Sequence, residues 1–174
     1  NFIFAFKKIR IYKNFLHSSD FEHIRNEIYS KTFPWYFNDS IVGYTGARYD
    51  FQFIHNFYNH GAPRSPYFEM IKPILVKINP YVLIKAKVNL LPQTEKPRES
   101  FMHIDNPNAP RGLKIYTGIY YLDTNNGYTK FSNGKKVGSE ENKFVEFDYK
   151  MQHTGANCSD KYRRVVINLN YVKL

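Results

Sequence analysis

The sequence predicts a mainly β protein with N-terminal helices, an α+β chain whose strands form a double-stranded β-helix, a jelly-roll barrel of the cupin-like type. Three observations support this fold class. Helical periodicity is confined to the part before residue 80, the hydrophobic period changes to two from residue 81, and the short strands that follow are joined by tight turns without βαβ alternation. The length predicts one domain over 1–174, with helical support at about 14–80 and a barrel core at about 81–172.

The helical support contains two predicted helices. Ser19 and Glu22 have the spacing of a capping box, and apolar residues follow at helical intervals, so we expect the first helix at about 20–31. The second is expected at about 66–78, because apolar residues there lie on one helical face after a stretch broken by glycine and prolines.

Extended segments accompany these helices. Alternating phenylalanines within residues 1–12 predict an edge strand or two, and residues 49–57 resemble another strand. The aromatic run 33–37 follows the first helix, and we expect it to form a packed turn.

The barrel core shows the alternation of strands with two distinct faces. Over residues 84–91, apolar side chains alternate with Lys, Asn and Leu on the other face. Asn126-Gly127 and Asn133-Gly134 are strong hairpin signals. With the further strands at 114–122, 144–147 and 164–171, the layout is two helices followed by about eight short strands.

Composition excludes several classes of protein. Fifteen Phe and fifteen Tyr supply a core, which excludes a disordered chain. Cys158 is the only cysteine, which excludes an intrachain disulfide scaffold and fits a reducing compartment. No run of 18 apolar residues occurs, and the N-terminal apolar stretch is too short for a signal sequence, so we expect a cytoplasmic protein that is not bound to a membrane.

The chain is basic, with 25 Lys+Arg against 15 Asp+Glu and a formal net charge of +10. The basic residues are spread over both halves without a tail or block. A solvated surface is therefore the favoured interpretation, and nucleic-acid binding stays open as the alternative.

The candidate chemistry begins with His103 and Asp105. Their i, i+2 spacing in a strand directs both side chains to one face, although a lone His-x-Asp is common and single histidines are usually surface or core residues. Downstream, His153 ends a predicted strand and turn, and Arg164 opens the last strand. Two histidines and one carboxylate are the ligand set of non-heme Fe(II) oxygenases, with positions left for a 2-oxo acid and O₂. Arg164 stands where the far carboxylate of such an acid needs a cation.

These residues belong to a wider pattern that resembles the 2-oxoglutarate/Fe(II)-dependent dioxygenase superfamily, in particular its prolyl-4-hydroxylase-like branch. The run His103-Ile-Asp-Asn-Pro-Asn108 followed by Ile119-Tyr-Tyr-Leu122 is similar to the metal-binding stretch of the oxygen-sensing prolyl hydroxylases. Over roughly residues 12–172 the chain also resembles small phage-encoded oxygenases. The segments with this character include 33–36, 84–90, 125–131 and 164–171.

The resemblance implies that His103, Asp105 and His153 are the iron ligands and that Arg164 binds the distal carboxylate of 2-oxoglutarate. Arg163 is a rival, since either arginine can be counted as the strand opener. Strand parity favours Arg164, because it shares a face with the polar residues of the last strand, whereas Arg163 shares one with aliphatic residues.

Further co-substrate contacts follow from the same resemblance. Tyr121 matches the family tyrosine that supports the distal carboxylate, and Thr117, on the same face of its strand, is expected to help. The family tyrosine near the metal-bound carboxylate corresponds to Leu91, which cannot hydrogen-bond. Asn89, two residues earlier, is a possible substitute.

The activity that we expect is hydroxylation of a protein or peptide residue, with proline as the expected target and with Fe(II), 2-oxoglutarate and O₂ as cofactor and co-substrates. Loops 92–100 and 106–113 are long enough to form a lid, with Arg98 and Arg111 facing the entrance. The alternatives are an oxygenase acting on a nucleobase or small molecule, and a non-catalytic nucleic-acid-binding barrel. A viral source, as in the phage-encoded relatives, would place the protein in the host cytoplasm.

Overall fold

The computed structural model describes residues 8–41, 51–105 and 112–174. Its helices are α1 (Ser18–Ile28), a 3-10 helix (Pro66–Ile71) and α2 (Lys72–Ile78). The strands, in chain order, are β1 (Arg10–Tyr12), β2 (Tyr36–Asn38), β3 (Gln52–Asn59), β4 (Ala62–Pro63), β5 (Val82–Pro92), β6 (Ile115–Tyr121), β7 (Tyr128–Phe131), β8 (Lys136–Gly138), β9 (Lys143–Asp148), β10 (His153–Ala156) and β11 (Arg163–Val172).

Two antiparallel sheets form the predicted jelly roll. The major sheet has the order β1-β9-β6-β11-β5-β3-β2, with β4 paired to β3, and the minor sheet has the order β10-β7-β8. The segment before β6 extends the minor sheet through isolated bridges from Glu99 to Ala156 and from His103 to His153. Because β1, β2 and β3 belong to the major sheet, the sheet begins earlier in the chain than residue 81, where the barrel core was expected to start.

Alternation along the central strands creates two cores on opposite faces of the major sheet. One face of β11 carries Val165, Ile167 and Leu169, which pack with the apolar faces of α1 and α2. The other face carries Val166, which packs with residues of β6, β7 and β9 between the two sheets. The helices therefore support one side of the sheet, and the second side faces a cavity.

Both predicted helices are confirmed, with different details. α1 begins at Ser18, and the ring of His17, rather than Ser19, accepts a hydrogen bond from a free backbone N–H of the first turn. The predicted capping box is therefore wrong, because the helix starts one residue before Ser19 can act as its cap. The second helical segment combines the 3-10 helix with α2. Among the described residues, no helix has the length and apolar character needed to cross a membrane.

Three predictions about loops and strands differ from the structure. Tyr36 and Phe37 lie in β2 with 60% and 64% of their surface exposed, so only Phe33 of the expected packed turn is buried. Asn133-Gly134 closes the β7–β8 hairpin as predicted, but Asn126-Gly127 joins β6 to β7, which lie in different sheets. Seven described strands, not eight, follow α2. The N-terminal phenylalanine strand lies outside the described residues.

Candidate active site

A cavity between the two sheets collects most of the sequence-predicted site residues. The major sheet contributes the face of β5 that carries Asn89 and the face of β11 that carries Arg164. The minor sheet contributes Thr129 of β7 and His153 of β10. This position follows from the alternation of each strand, because the aliphatic residues at the intervening positions pack on the helices.

His103 and His153 form a directly opposed pair across two chain segments. Each backbone N–H donates to the carbonyl of the other residue at 2.9 Å, and the ring centroids are 4.7 Å apart. The Nε2 atoms lie 3.5 and 3.6 Å from Oδ1 of Asp105. The ligand atoms of the three residues all lie within 4.8 Å of one another. The structure therefore brings the predicted triad together at one point.

Backbone carbonyls determine which nitrogen of each ring faces that point. Nδ1 of His103 lies 3.0 Å from the carbonyl of Phe101, and Nδ1 of His153 lies 3.1 Å from that of Met151. Because a carbonyl oxygen only accepts, Nδ1 must carry the proton in both rings. Each Nε2 then has a lone pair available for a metal ion.

Asp105 is held through one oxygen and presents the other. Oδ2 accepts hydrogen bonds from Thr117 Oγ1 at 3.1 Å and from Nδ2 of Asn170 at 3.0 Å, with Nδ2 of Asn168 at 3.4 Å. Oδ1 faces the two imidazoles. Burial opposes ionisation of this carboxyl, but the hydrogen-bonding and electrostatic effects of His103, His153 and Asn170 hold its pKa well below the usual range. The side chain is therefore a fixed carboxylate.

The two histidines respond differently to this carboxylate. Burial lowers the pKa of His153, and the nearby Asp105 only partly opposes that effect. Burial also lowers the pKa of His103, but the combined effects of the Asp105 carboxylate and of the Phe101 carbonyl, which both favour the protonated ring, outweigh burial and raise the pKa above the ordinary value. Two imidazoles and one carboxylate fit Fe(II), because they occupy three positions of its coordination sphere and leave the others open.

Arg164 lies at the other end of the cavity as a buried cation. The residue is only 3% exposed. Nε donates to Ser139 Oγ at 2.8 Å, and Nη2 donates to Thr129 Oγ1 at 3.2 Å. Burial lowers its pKa. Within the described part of the chain, no carboxylate lies within ion-pair distance of the guanidinium. The group therefore has neutral partners and a charge that an anionic ligand would compensate.

Arg163 points to the opposite side of the strand. Its guanidinium carbon lies 4.1 Å from the ring centroid of Tyr29, which belongs to the helical layer. The parity argument therefore assigns the two arginines to the correct faces of β11, as the burial of Arg164 and the contact of Arg163 demonstrate.

Tyr121 lies at the Arg164 end of the cavity, and Asn89 lies between that end and the cluster of His103, Asp105 and His153. The hydroxyl of Tyr121 donates to Thr129 Oγ1 at 2.7 Å, and its ring centroid lies 5.5 Å from the guanidinium carbon of Arg164. Asn89 lies opposite Val166 in the β5–β11 pairing, and its buried Oδ1 has no hydrogen-bond partner. This orphaned oxygen is a polar group that a ligand in the cavity can satisfy.

Thr117 is located elsewhere than the sequence suggests. It was expected beside Tyr121 at the distal carboxylate, but its hydroxyl donates to Asp105 and accepts from Asn170. Thr117 and Tyr121 share a face of β6 but are separated by four residues, roughly 13 Å along the strand. The threonine therefore positions the carboxylate of Asp105, and the expected contact of Thr117 with the co-substrate tail is wrong.

Several site residues were missed by the sequence reasoning. Thr129 and Ser139 hold Arg164, and Asn168 and Asn170 hold Asp105. Strand parity already placed both asparagines on the cavity face of β11 with Arg164, but their contact with Asp105 was not predicted. Thr129 and Ser139 carried no such signal, since their approach depends on how the minor sheet crosses the major one.

The loops that were expected to form a lid are only partly described. Residues 92–100 run beside β10, where the N–H of Ser100 donates to the carbonyl of Gly155 and that of Asn157 to the carbonyl of Arg98. Arg98 lines a separate cavity of about 270 Å³ that adjoins the site. Arg111 and most of loop 106–113 lie outside the described residues.

Comparison with solved structures places this architecture among known proteins. No family model matches the chain, and no curated protein matches it. The viral collagen prolyl hydroxylase of Paramecium bursaria Chlorella virus 1, in a 2-oxoglutarate complex, is similar with a TM-score of 0.63 and 13% identity, over 99% of both chains. A prolyl hydroxylase from Trichoplax adhaerens, in complex with a peptide of hypoxia inducible factor, gives a TM-score of 0.67 and 15% identity over 95% of this chain and 84% of that one.

The same fold also occurs outside the prolyl hydroxylases. An α-ketoglutarate-dependent, non-heme epimerase from nogalamycin biosynthesis is similar with a TM-score of 0.65 and 11% identity, over 96% of this chain and 77% of the other. These likenesses confirm the predicted fold class: the chain has the jelly-roll fold of 2-oxoglutarate-dependent oxygenases, prolyl hydroxylases among them.

Proposed function

We propose that this chain is an Fe(II)- and 2-oxoglutarate-dependent dioxygenase that hydroxylates a protein or peptide residue, with proline as the proposed target. One observation carries the proposal: a two-histidine, one-carboxylate cluster and a buried arginine that has no acidic partner among the described residues line the same cavity. The fold supports it, because the similar solved structures include 2-oxoglutarate-dependent enzymes.

The metal would be held by His103, Asp105 and His153. Their Nε2 atoms and Oδ1 converge, while Nδ1 and Oδ2 are engaged with the backbone and with neighbouring side chains. Since the outward-facing atoms already have partners, binding an ion requires little rearrangement of the ligands. The open coordination positions then belong to co-substrate and O₂.

The co-substrate would extend from this cluster to Arg164. Asn168, which contacts Asp105, lies four residues after Arg164 on the same face of β11, a spacing of roughly 13 Å along the strand. A five-carbon dicarboxylate with one end at the metal and the other at the long guanidinium side chain suits that spacing. Thr129, hydrogen-bonded to both Arg164 and Tyr121, would orient the distal carboxylate with them.

Bound Fe(II), 2-oxoglutarate and O₂ supply the oxidising chemistry, in which the co-substrate is converted to succinate and CO₂. The protein contributes position and a dry environment. Ile119 and Val166 line the cavity, and Phe131 and Phe147 pack behind them between the sheets, which limits access of water from that side. No acid–base residue is needed for this reaction class, and the role of Asn89 is to donate or accept a hydrogen bond near the metal-bound end.

The proposed substrate rests on the prolyl hydroxylases with the same fold, one of which is bound to a peptide. The epimerase shares the architecture, so the fold alone does not select the target. The side chains at the open side of the metal-ligand cluster therefore select the substrate. A viral source is supported by the viral hydroxylase, and the cytoplasmic location stays a prediction.

The decisive experiment is an anaerobic titration. Addition of Fe(II) and then 2-oxoglutarate should produce a weak visible charge-transfer band, because the co-substrate chelates the metal. Succinate should then form under O₂. His103→Ala and Asp105→Ala should lose both signals while the protein keeps its circular-dichroism spectrum. A folded wild-type protein without the band would contradict the proposal.

A further inference from the structure

Two lysines of β5 lie at the open side of the metal-ligand cluster. Lys85 and Lys87 share the cavity face with Asn89 and line the same opening as His103 and Asp105. We call this opening the mouth; Gln152 and Asn170 also line it. In the β5–β11 register, Lys85 and Lys87 lie opposite Asn170 and Asn168, the two residues whose amides contact Asp105. The lysines therefore approach the cluster from the strand next to the one that holds its carboxylate.

The positive charge of these lysines is not balanced by the described residues. Neither lysine has an ion pair with a carboxylate there, and the acidic residue of the mouth is Asp105. Oδ2 of Asp105 is occupied by Thr117 and Asn170, and Oδ1 faces the histidines. Burial, reinforced by the neighbouring Lys85 and only partly opposed by the charge of Asp105, lowers the pKa of Lys87 to about 8. A divalent metal ion would add further positive charge at the same place.

We propose that Lys87, supported by Lys85, binds a carboxylate of the substrate next to the residue that is oxidised. This inference rests on the proposed function and adds a substrate class to it, an acidic peptide in which Asp or Glu neighbours the target residue. Lys87 also lines the cavity that contains Arg164, but it lies at the other end from the position assigned to the co-substrate tail. Lys87 precedes Leu91, the residue opposite Arg164, by four positions, roughly 13 Å along β5.

The surroundings of the lysines favour a single carboxylate over a nucleic-acid backbone. A polynucleotide carries a charge at every phosphate and is usually bound by a row of cations with aromatic platforms for its bases. At the mouth the two lysines are flanked by the neutral side chains of Ile104, Gln152 and the asparagines. One partly buried lysine beside amide donors instead matches a compact anion.

The test compares two pools of synthetic peptides on the full chain loaded with Fe(II) and 2-oxoglutarate without O₂. Both pools contain a fixed proline and randomised neighbours, and one adjoining position is Glu in the first pool and Gln in the second. Affinity selection followed by mass spectrometry measures the retained fraction. We expect the Glu pool to bind about tenfold more tightly, the effect of one charge-assisted hydrogen bond. The readout is binding and does not require turnover.

Three variants assign the preference to Lys87. Lys87→Met should abolish it, and Lys87→Arg, which keeps the charge, should retain most of it. Lys135→Met is the matched control, because it removes the same charge from an exposed position in the β7–β8 turn. All three variants should bind 2-oxoglutarate as the wild type does, as followed by the charge-transfer band.

Four outcomes would overturn the inference. They are equal retention of both pools by the wild type, a preference that survives Lys87→Met, a loss of 2-oxoglutarate affinity in Lys87→Met, and a single-stranded oligonucleotide that binds more tightly than the Glu pool and depends on Lys87. The third would assign the lysine to the co-substrate, and the fourth would assign the substrate to nucleic acids. Failure of the proposed function is distinguishable, since it appears as a missing charge-transfer band in the wild type.

Discussion

Arg164 carries its charge at a position where its hydrogen-bond partners, in the part of the chain that the structure describes, are neutral hydroxyl groups. Ser139 and Thr129 accept hydrogen bonds from two of its N–H groups, and the residue lines the cavity. A guanidinium stays protonated in proteins even when burial lowers its pKa. A buried cation without an anion lowers the stability of the ligand-free protein. An anionic ligand removes this penalty when it binds, so the same charge favours binding.

Replacing this guanidinium should therefore affect binding far more than folding. In Arg164→Ala we expect the dissociation constant of 2-oxoglutarate to rise roughly a hundredfold, equivalent to the loss of about 3 kcal/mol from a charge-assisted pair. Anaerobic titration of the charge-transfer band measures this constant. Arg163→Ala is the control and should leave it unchanged, since that side chain lies on Tyr29. The reverse result would contradict the assignment of the carboxylate clamp.

Parity explains which of these residue-scale predictions succeeded. A period of two decides the face of a strand on which a side chain lies, and this was sufficient to distinguish Arg164 from Arg163. Parity says nothing about position along the strand relative to other segments. Thr117 was therefore assigned to the correct face but to the wrong end of the cavity, where Asp105 arrives from a segment with no regular pattern of its own.

At the scale of elements, the pairing of His103 with His153 could not be read from the sequence. The stretch 93–104 lacks strand periodicity and joins the minor sheet through two isolated bridges and a few further backbone hydrogen bonds. Its partner β10 has four residues. The sequence could identify both histidines as members of one motif, but the contact between them depends on how two short, irregular segments meet.

The Asn126-Gly127 dipeptide shows a different reason for failure. The pair has hairpin chemistry, but the chain there crosses from the major to the minor sheet. A Cβ on Gly127 would lie 2.6 Å from Cδ of Arg164 and 2.9 Å from the carbonyl oxygen of Ala156. Glycine is needed because the backbone passes directly over the arginine side chain, a contact that local turn rules do not contain.

Because of this close approach, we expect substitution by alanine to have different effects at Gly127 and at Gly138. Gly127→Ala should displace Arg164, lower the free energy of unfolding by about 1–3 kcal/mol and weaken 2-oxoglutarate binding. Gly138→Ala should change stability by less than about 0.5 kcal/mol, because a Cβ there meets nothing within 4 Å. Urea unfolding and the anaerobic titration measure the two effects. Equal behaviour of the two variants would contradict the packing argument.

At the scale of the whole molecule, Glu146 ties three strands of the major sheet together. Oε1 accepts from Arg10 of β1 at 2.7 Å, and Oε2 accepts from Tyr171 of β11 at 2.6 Å and from Lys173 just after it. The glutamate lies on β9 and is 1% exposed. Burial opposes its ionisation, but the hydrogen bonds from Lys173, Tyr171 and Arg10 outweigh burial and lower its pKa.

A depressed carboxyl pKa gives a definite pH dependence of stability. The contribution of Glu146 is complete above the pKa of the unfolded chain, ordinarily 4.5, and is lost as the pH falls through the lower folded value. Glu146→Gln should therefore lower the free energy of unfolding at pH 7 by about 1–3 kcal/mol, and its difference from the wild type should shrink in acid. Urea unfolding between neutral and acidic pH measures this. Glu140→Gln, which alters an ion pair of the partly exposed Glu140 with the exposed Lys13 and another with the buried Lys143, should change stability by less than about 1 kcal/mol. A Glu146 difference that grows in acid would contradict the sign.

The fold as a whole was the most predictable level. The change of period at residue 81 separates helices from barrel strands well enough to give the jelly roll, because each long strand must present one face to the helices and one to the cavity. The change of period did not place β1, β2 and β3 in the major sheet, because the position of a strand in a sheet depends on partners far away in the chain.

The contact between His103 and His153 affects the conformational entropy of folding. Each belongs to a segment held by few backbone bonds, and the intervening chain forms a loop of roughly fifty residues whose closure costs conformational entropy. An ion bound by both Nε2 atoms would connect the ends of that loop in the folded chain, and its binding free energy would offset part of the entropic cost. Because the unfolded chain has no preformed site, bound metal stabilises the folded state.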